Sequence, residues 1–380
     1  MSGEPATAAP RIPALDGLRG LAVVVVVWHN VVLSAPATSP FLVARLYVTL
    51  AAAGWIGVTL FLALSGFLIT GILRGSRTGP GAYREFIRRR ALRIFPLYYA
   101  TLFLAFVVAP ALHALPAWLA QDHQNQVFYW TYLVNWTEPF GLGGTGLSHF
   151  WSLAVEEQFY LLWPLAALTM RAPPLSALCV GLAVTSLLAR LGLQQGLLPP
   201  EIATKAIYSF TVCRWDALVL GAIVALAFRS ATWRQRAIDW SWPALLLSAG
   251  MLAALCLWRH SLNSWDPMIE TLGHSVAAVF CAALVAVAAR PAPRVPEWPA
   301  PVLSWSPLRG LGKYSYAIYV FHFPLMRWAA QPWLSRELVG AGGSQVIVMM
   351  TLCAAAVVLL SLGLALVSWR VLEQPFLRLR

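Results

Sequence analysis

An imidazole lies inside the first long apolar stretch of the chain, a place where titratable side chains are unusual. His29 follows Arg19 by ten positions, and ten residues of helix rise about 15 Å, or half the thickness of a membrane's hydrocarbon core. An imidazole at that depth needs a partner or a water-filled cavity, so His29 is a candidate functional-site residue. The alternative is a histidine that only hydrogen-bonds a neighbouring helix.

Two adjacent carboxyl groups lie in a later apolar stretch, where each costs several kcal/mol to insert. On a helix, His149, Ser152 and Glu156 share one face, whereas Glu157 is turned about 100° away. Glu156 is therefore the better candidate for a polar cavity, and Glu157 is expected to pair with an arginine on another helix. The alternative is a buried ion pair that only holds helices in register.

A basic amphipathic segment precedes the apolar stretch that starts near Pro96. One interpretation is that this segment is only a surface helix whose arginines bind anionic lipid. Arg90 and Arg93, however, lie one turn apart at the membrane boundary and so point the same way. Two guanidinium forks in that position suit a phosphorylated cytosolic ligand.

Further polar side chains within apolar stretches are candidates for lining the same pathway. Arg214 and Asp216 are expected to neutralise each other or the glutamates, and His322 lies near mid-depth of its stretch. Pro324 follows that histidine and should kink its helix and free backbone groups into a cavity. Asp16 belongs to the set because it precedes Arg19 at the edge of the first stretch.

The composition identifies the elements that must position these groups. Of 380 residues, 59% are apolar and only 11% are charged, against about 25% charged in a soluble domain. The net charge of +12 is not patterned for nucleic acid, because the arginines gather in short segments between apolar runs. The five cysteines are single and form no pair or framework, so no metal site is predicted. The fold class predicted is an all-α polytopic membrane bundle.

About ten transmembrane helices are predicted from the apolar runs. They cover approximately residues 18–35, 48–72, 95–113, 150–170, 175–191, 206–228, 241–258, 268–289, 314–330 and 345–369. Alternate connections hold most of the arginines, which predicts that both termini are cytoplasmic. Residues 1–12 are read as a short cytoplasmic tail of a single domain spanning 1–380.

One aromatic segment does not fit the alternation of spans. Residues 127–136 are apolar but too short to cross a membrane, and counting them as a span would place most arginines outside. We predict that residues 114–149 form an outer-face segment, with this piece lying in the interface or dipping in as a re-entrant element.

Taken together, these stretches resemble the acyltransferase 3 family, which comprises bacterial multi-pass membrane O-acyltransferases. The likeness rests on LDGLRG at 15–20 followed by His29, FLALSGFL at 61–68, the arginine pair, and WSLAVEEQFY at 151–160. Weaker similarities are RWDAL at 214–218, YSYAIYVFH at 314–322 and EQPF at 373–376. The likeness runs in order along nearly the whole chain.

The resemblance implies an enzyme of the bacterial inner membrane that moves an acyl group, commonly acetyl, from cytosolic acyl-CoA to a hydroxyl. The acceptor would be a carbohydrate or glycoside, such as an exopolysaccharide, a lipopolysaccharide O-antigen or a macrolide sugar. By position, His29 would be the catalytic histidine, and Arg19, Arg90 and Arg93 the arginines tied to acyl-CoA, a co-substrate rather than a bound cofactor. Glu156 or Glu157 would orient the imidazole or balance its charge.

One spacing departs from the family pattern, and one other class of protein fits some of the residues. The family usually places ten residues between this arginine and this histidine, whereas nine lie between Arg19 and His29. On a regular helix the two side chains would then lie about 80° apart. The alternative function is a proton-coupled secondary transporter with His29, the glutamates and Asp216 as its relay.

Overall fold

The all-α prediction is confirmed. The computed structural model describes residues 12–34, 42–75, 79, 81–290, 299–338 and 343–379, and these form helices and no strand. The predicted cytoplasmic tail lies outside the described residues, apart from Ile12.

The first half of the chain alternates long helices with short helical pieces. Its α-helices are α1 Pro13–Leu33, α2 Leu42–Ala52, α3 Ile56–Gly75, α4 Ala82–Phe103, α5 Ala109–Ala111, α6 Ala120–Gln124, α7 Val127–Trp130, α8 Val134–Thr137, α9 Phe150–Thr169 and α10 Ala172–Gly192. Turns of 3-10 helix cover Ala53–Trp55, Ala117–Leu119 and Glu138–Phe140, and π turns cover Leu104–Val108 and Leu193–Leu197.

The second half of the chain also consists of long helices and short helical pieces. Its α-helices are α11 Pro200–Ser209, α12 Thr211–Ala227, α13 Ala231–Arg259, α14 His274–Ala288, α15 Ala300–Leu303, α16 Ser306–Lys313, α17 Ser315–Leu325, α18 Gln331–Glu337, α19 Gly343–Ser368 and α20 Gln374–Leu377. The π turns are Ile269–Gly273, Met326–Ala330 and Trp369–Glu373.

Eight helical stretches in the described part of the chain are long and apolar enough to cross a membrane. They are Pro13–Leu33, Leu42–Gly75, Ala82–Ala111, Ala172–Leu197, Pro200–Ala227, Ala231–Arg259, Ile269–Ala288 and Ser344–Leu377. The remaining two predicted spans, 150–170 and 314–330, are helical but less apolar. The first carries Glu156, Glu157 and Gln158, and the second carries His322 and Arg327. The cytoplasmic placement of the termini stays a prediction.

Helix α3 lies at the centre of the bundle and packs against α1, α9, α12 and α14. Most of its residues are buried, which explains why its sequence is apolar on all sides rather than along one stripe. Helices α1 and α16 also approach each other closely, because a Cβ at Gly312 would overlap the carbonyl oxygen of Asp16 and one at Gly20 that of Leu308. This close contact holds the start of α1 beside the end of α16.

The segment at 114–149 folds into short helices of three to five residues between Ala117 and Phe140, none long enough to cross a membrane. The Asp122 carboxylate ties its two ends together by accepting the backbone N–H groups of Thr145, Gly146 and Leu147 at 2.7–2.9 Å. Burial raises the pKa of the nearby Glu138 carboxyl to about 8. The segment is thus a packed element; its predicted outer-face placement stays a prediction.

Candidate active site

A cavity of about 510 Å³ opens between α1, α3, α4, α9, α16 and α17. Its polar lining residues are Asp16, Arg19, Ser65, Arg90, Arg93, Ser152, Glu156, Tyr160, Lys313, Ser315, Tyr316 and Tyr319. The structure therefore brings together six of the side chains singled out in the sequence, although they come from three separate helices. It leaves His29, His149, Glu157, Arg214, Asp216 and His322 outside the lining.

Four cations gather at one end of the cavity, which we call the basic mouth: Arg19, Arg90, Arg93 and Lys313. Arg90 lies between two aromatic rings, with its guanidinium carbon 5.2 Å from the centre of Tyr160 and 5.8 Å from that of Phe86. Such cation–π contacts hold the planar group in one orientation while leaving its N–H donors available. The mouth can therefore bind a multiply charged anion.

Glu156 lies further along the cavity and is held by two hydroxyl groups. Ser65 donates to one carboxylate oxygen at 2.9 Å, and Tyr160 donates to the other at 2.9 Å. Arg19 and Arg90 supply the neighbouring positive charges. Sequence reasoning assigned no role to Ser65 or Tyr160, although each is a hydroxyl residue within an apolar helix.

Glu157 points away from the cavity, as the 100° offset predicts. Arg90, on the neighbouring helix α4, is the cation that interacts with it electrostatically. The two adjacent carboxyl groups thus have different surroundings, and only Glu156 lines the cavity.

His29 lies beyond the end of the cavity that is furthest from the basic mouth, which we call the deep end. The imidazole packs on Gly54, and Val58, one helical turn later, lines the cavity. Helix α1 is a regular α-helix throughout, so the short spacing from Arg19 is not corrected by a local distortion. The two side chains instead lie at different levels and contact different neighbours.

The imidazole of His29 makes a hydrogen bond that determines its tautomer. Its Nδ1 lies 2.7 Å from the carbonyl oxygen of Ala51. Because a carbonyl oxygen can only accept, Nδ1 carries the proton and the lone pair of Nε2 is free. The expected contact between this imidazole and a glutamate does not form, since Glu156 is held by Ser65 and Tyr160 instead. A half-buried imidazole with a free Nε2 can accept a proton from a hydroxyl.

The other two histidines near this level are more deeply buried. His322 donates through Nδ1 to the carbonyl of Tyr319 at 2.6 Å and accepts at Nε2 from the amide of Asn30 at 3.2 Å. His149 donates through Nε2 to the carbonyl of Val320 at 3.2 Å, and its ring centre lies 5.2 Å from that of His322. Of the three, only His29 is partly accessible.

Two hydroxyl groups close the deep end of the cavity. The Ser152 and Tyr319 oxygens lie 2.6 Å apart, and both lie within 3.1 Å of the His149 carbonyl oxygen. The sequence placed Ser152 on the correct face of α9. It gave no reason to select Tyr319, which is one of two tyrosines in α17.

The predicted pairing of Arg214 with Asp216 does not form as a direct ion pair, although Asp216 still interacts electrostatically with Arg214. Asp216 pairs with Arg190 at 2.8 Å, and both side chains are almost completely buried. Arg214 contacts His274, donates to Thr59 at 3.0 Å and stacks on Trp151. The physical reason is that residues two apart on a helix project about 200° apart, so they meet different neighbours.

Sequence comparisons place the chain among known proteins. The sequence profile described as "Acyltransferase domain" matches residues 12–369. The peptidoglycan O-acetyltransferase of Listeria monocytogenes is 28% identical over 337 residues, 83% of this chain and 49% of the relative. A putative peptidoglycan O-acetyltransferase of Bacillus subtilis is 28% identical over 330 residues, 83% and 48% of the two chains. An O-acetyltransferase of Staphylococcus aureus is 30% identical over 335 residues, 84% and 51%.

The chain spans about half the length of these curated relatives. No solved structure matches it significantly. Among the described residues, no group of three or more His, Cys, Asp or Glu side chains could hold a metal ion. The apolar helices and the relatives identify a multi-pass bacterial membrane protein, and the matched profile shows that the chain belongs to the acyltransferase 3 family.

Proposed function

We propose that the chain catalyses the transfer of an acetyl group from acetyl-CoA to a hydroxyl of a carbohydrate or glycoside acceptor. The observation that carries this proposal is the cavity that leads from the basic mouth to the level of His29. It leads from an anion-binding end toward the level of the candidate base through an interior lined largely by apolar side chains.

The basic mouth suits the phosphate groups of coenzyme A. Arg19, Arg90 and Arg93 offer guanidinium forks, which bind phosphate oxygens in a bidentate manner, and Lys313 adds a fourth positive charge. Trp369 lies at the same end and can stack on an adenine ring. The apolar residues further in, among them Leu62 and Phe61, fit the uncharged arm that carries the thioester.

His29 supplies the base. Its free Nε2 would take the proton of the acceptor hydroxyl as the hydroxyl oxygen attacks the thioester carbonyl carbon. When the tetrahedral intermediate collapses, the carbon–sulfur bond breaks and the imidazolium returns the proton to the departing thiolate. The hydrogen bond from Nδ1 to Ala51 keeps the imidazole in the required tautomer during both steps.

The acceptor is proposed from the relatives. Two of them are named as peptidoglycan O-acetyltransferases, so a glycan hydroxyl is the first acceptor to try. In the predicted orientation, the basic mouth faces the cytosol and the His29 level faces the acceptor side.

The test is acetyl-CoA hydrolysis and transfer by purified protein in detergent, wild type beside His29→Ala. We expect kcat/KM to fall about 10²–10⁴-fold, the usual contribution of a positioned general base. His260→Asn is the matched control, because it removes an exposed histidine and keeps a residue that tolerates its positive φ.

Each result bears on one part of the proposal. Label transferred from acetyl-CoA to an added glycan in a His29-dependent manner supports it. Full activity in His29→Ala contradicts the assignment of the base. A well-folded protein that neither binds nor cleaves acetyl-CoA contradicts the acyltransferase reaction and favours the transporter alternative.

A further inference from the structure

Three oxygen atoms at the deep end form a triangle that contains only two hydrogens. The Ser152 hydroxyl lies 2.6 Å from that of Tyr319 and 3.1 Å from the His149 carbonyl oxygen, and Tyr319 lies 3.0 Å from the same carbonyl. The carbonyl contributes no hydrogen and each hydroxyl contributes one, so only two of the three short oxygen–oxygen contacts can be hydrogen bonds at any one time. One hydrogen can therefore be redirected to a ligand while the other still joins two of the three oxygens.

The triangle belongs to the wall of the cavity at its deep end, on the side of the residues that neighbour His29. Ser152 and Tyr319 both line the cavity. One turn after Tyr319, His322 accepts a hydrogen bond from Asn30, the residue next to His29. A thioester that enters from the basic mouth and stops below His29 would thus present its carbonyl group beside these two hydroxyls.

The other hydroxyl groups that line the cavity either donate to an acceptor of the protein already or lie away from the deep end. Ser65 and Tyr160 both donate to Glu156, and Tyr316 donates to the carbonyl of Ile94 at 2.9 Å. Ser315 begins α17 beside Lys313, at the basic mouth. Among the described lining residues, the Ser152 and Tyr319 hydroxyls are the donors that combine a redirectable hydrogen with a position at the deep end.

We propose that the Ser152–Tyr319 hydroxyl pair binds the thioester carbonyl oxygen and stabilises the oxyanion of the tetrahedral intermediate. This inference rests on the proposed function. As the acceptor oxygen bonds to the carbonyl carbon, the carbonyl π electrons move onto its oxygen, which accepts a hydroxyl hydrogen from the pair. When the carbonyl re-forms, the carbon–sulfur bond breaks and its electrons leave on the thiolate. The pair changes no covalent bond; it acts because preorganised donors favour charge that develops in the transition state.

The test compares Tyr319→Phe, Ser152→Ala and the double variant with a matched control. Tyr98→Phe is that control: Tyr98 is fully buried and donates to the carbonyl of Tyr129 at 2.8 Å, but it does not line the cavity. This control loses the same kind of hydrogen bond as Tyr319→Phe, so its kcat shows how much activity is lost through a change in packing alone.

We expect kcat to fall about 10-fold or more in each single variant and about 10²–10³-fold in the double variant, with KM for acetyl-CoA little changed. We also expect the infrared carbonyl band of bound [1-¹³C]acetyl-CoA to move to higher frequency in both single variants, because the one remaining hydroxyl hydrogen must then be shared between the His149 carbonyl and the thioester carbonyl, which weakens the hydrogen bond to the thioester. A structural role alone would not move that band.

The outcomes separate the two proposals. If wild type cleaves acetyl-CoA but the variants match Tyr98→Phe in kcat, or leave the carbonyl band in place, the hydroxyl-pair assignment is overturned and the acyltransferase stands. If wild type does not cleave acetyl-CoA, both proposals fall. Should Tyr319→Phe not fold, Ser152→Ala decides the question by the same two measurements.

Discussion

Two regions of this bundle place charged side chains among apolar helices, and they differ in exposure. The cavity contains Arg19, Arg90 and Glu156, each partly exposed. The second region, which we call the closed arginine cluster, consists of Arg190, Arg214, Asp216 and His274. Its residues are at most 3% exposed, and the Arg190–Asp216 pair is 2.8 Å long.

This difference distinguishes charged side chains that can bind a ligand from charged side chains that only stabilise the packing of the helices. A charge that faces a cavity keeps solvation and stays available to a ligand. A charge that is sealed between helices has lost its solvation, and only its partners offset that cost. Glu156 is held by neutral hydroxyl donors, so its charge is not cancelled by a contact ion pair, whereas Asp216 is matched to a guanidinium. The cavity is arranged for binding and the cluster for holding α10, α12 and α14 together.

The largest effect should come from breaking the closed arginine cluster. Asp216→Ala leaves two buried guanidinium groups without their carboxylate, and we expect the free energy of unfolding to fall by about 3–5 kcal/mol. Thermal unfolding of detergent-solubilised protein measures this. Arg259→Gln is the control, since it breaks a more exposed arginine–aspartate pair and should cost less than about 1 kcal/mol. Equal melting temperatures of the two variants would contradict the distinction between the sealed cluster and exposed ion pairs.

An intermediate effect should come from the cavity carboxylate. Glu156→Gln keeps the size of the side chain but removes the charge beside Arg19 and Arg90, and we expect the acetyl-transfer rate to fall about 10²-fold. The fold should survive, because the side chain is partly exposed and both hydroxyls retain an amide to contact. Steady-state kinetics and a melting curve should be recorded together. Glu157→Gln, which lies off the cavity, should lower the rate less; the reverse order would refute the geometric ranking of the two glutamates.

The smallest effect should come from exchanging one cation for another. Arg90→Lys retains the charge but loses the planar group that stacks on Tyr160 and Phe86. We expect KM for acetyl-CoA to rise about 10-fold with kcat nearly unchanged. The matched control is Arg88→Lys, two positions earlier, where an exposed arginine pairs with Glu85. An unchanged KM in Arg90→Lys would remove this arginine from the binding of the donor.

The helical geometry of single elements was accessible from the sequence, and the partners across elements were not. The offset between Glu156 and Glu157 and the shared direction of Arg90 and Arg93 both follow from helical periodicity, and the cavity lining agrees with both. The predicted contact between His29 and a glutamate failed, because it required knowledge of which helix lies against α1. The Ala51 carbonyl that holds His29 belongs to an apolar residue that no motif selects.

By itself the sequence determined the class of protein, the positions of its apolar helices and the faces on which the charged residues lie. These follow from composition and from local periodicity, which do not depend on distant neighbours. Only the tertiary structure decided that Arg19 and Glu156 face a cavity while Arg214 and Asp216 are sealed. That distinction depends on contacts between residues far apart in the chain, such as Ser65 with Glu156 and Arg190 with Asp216. The bundle's close packing forms those contacts, and a side chain's own type does not encode them.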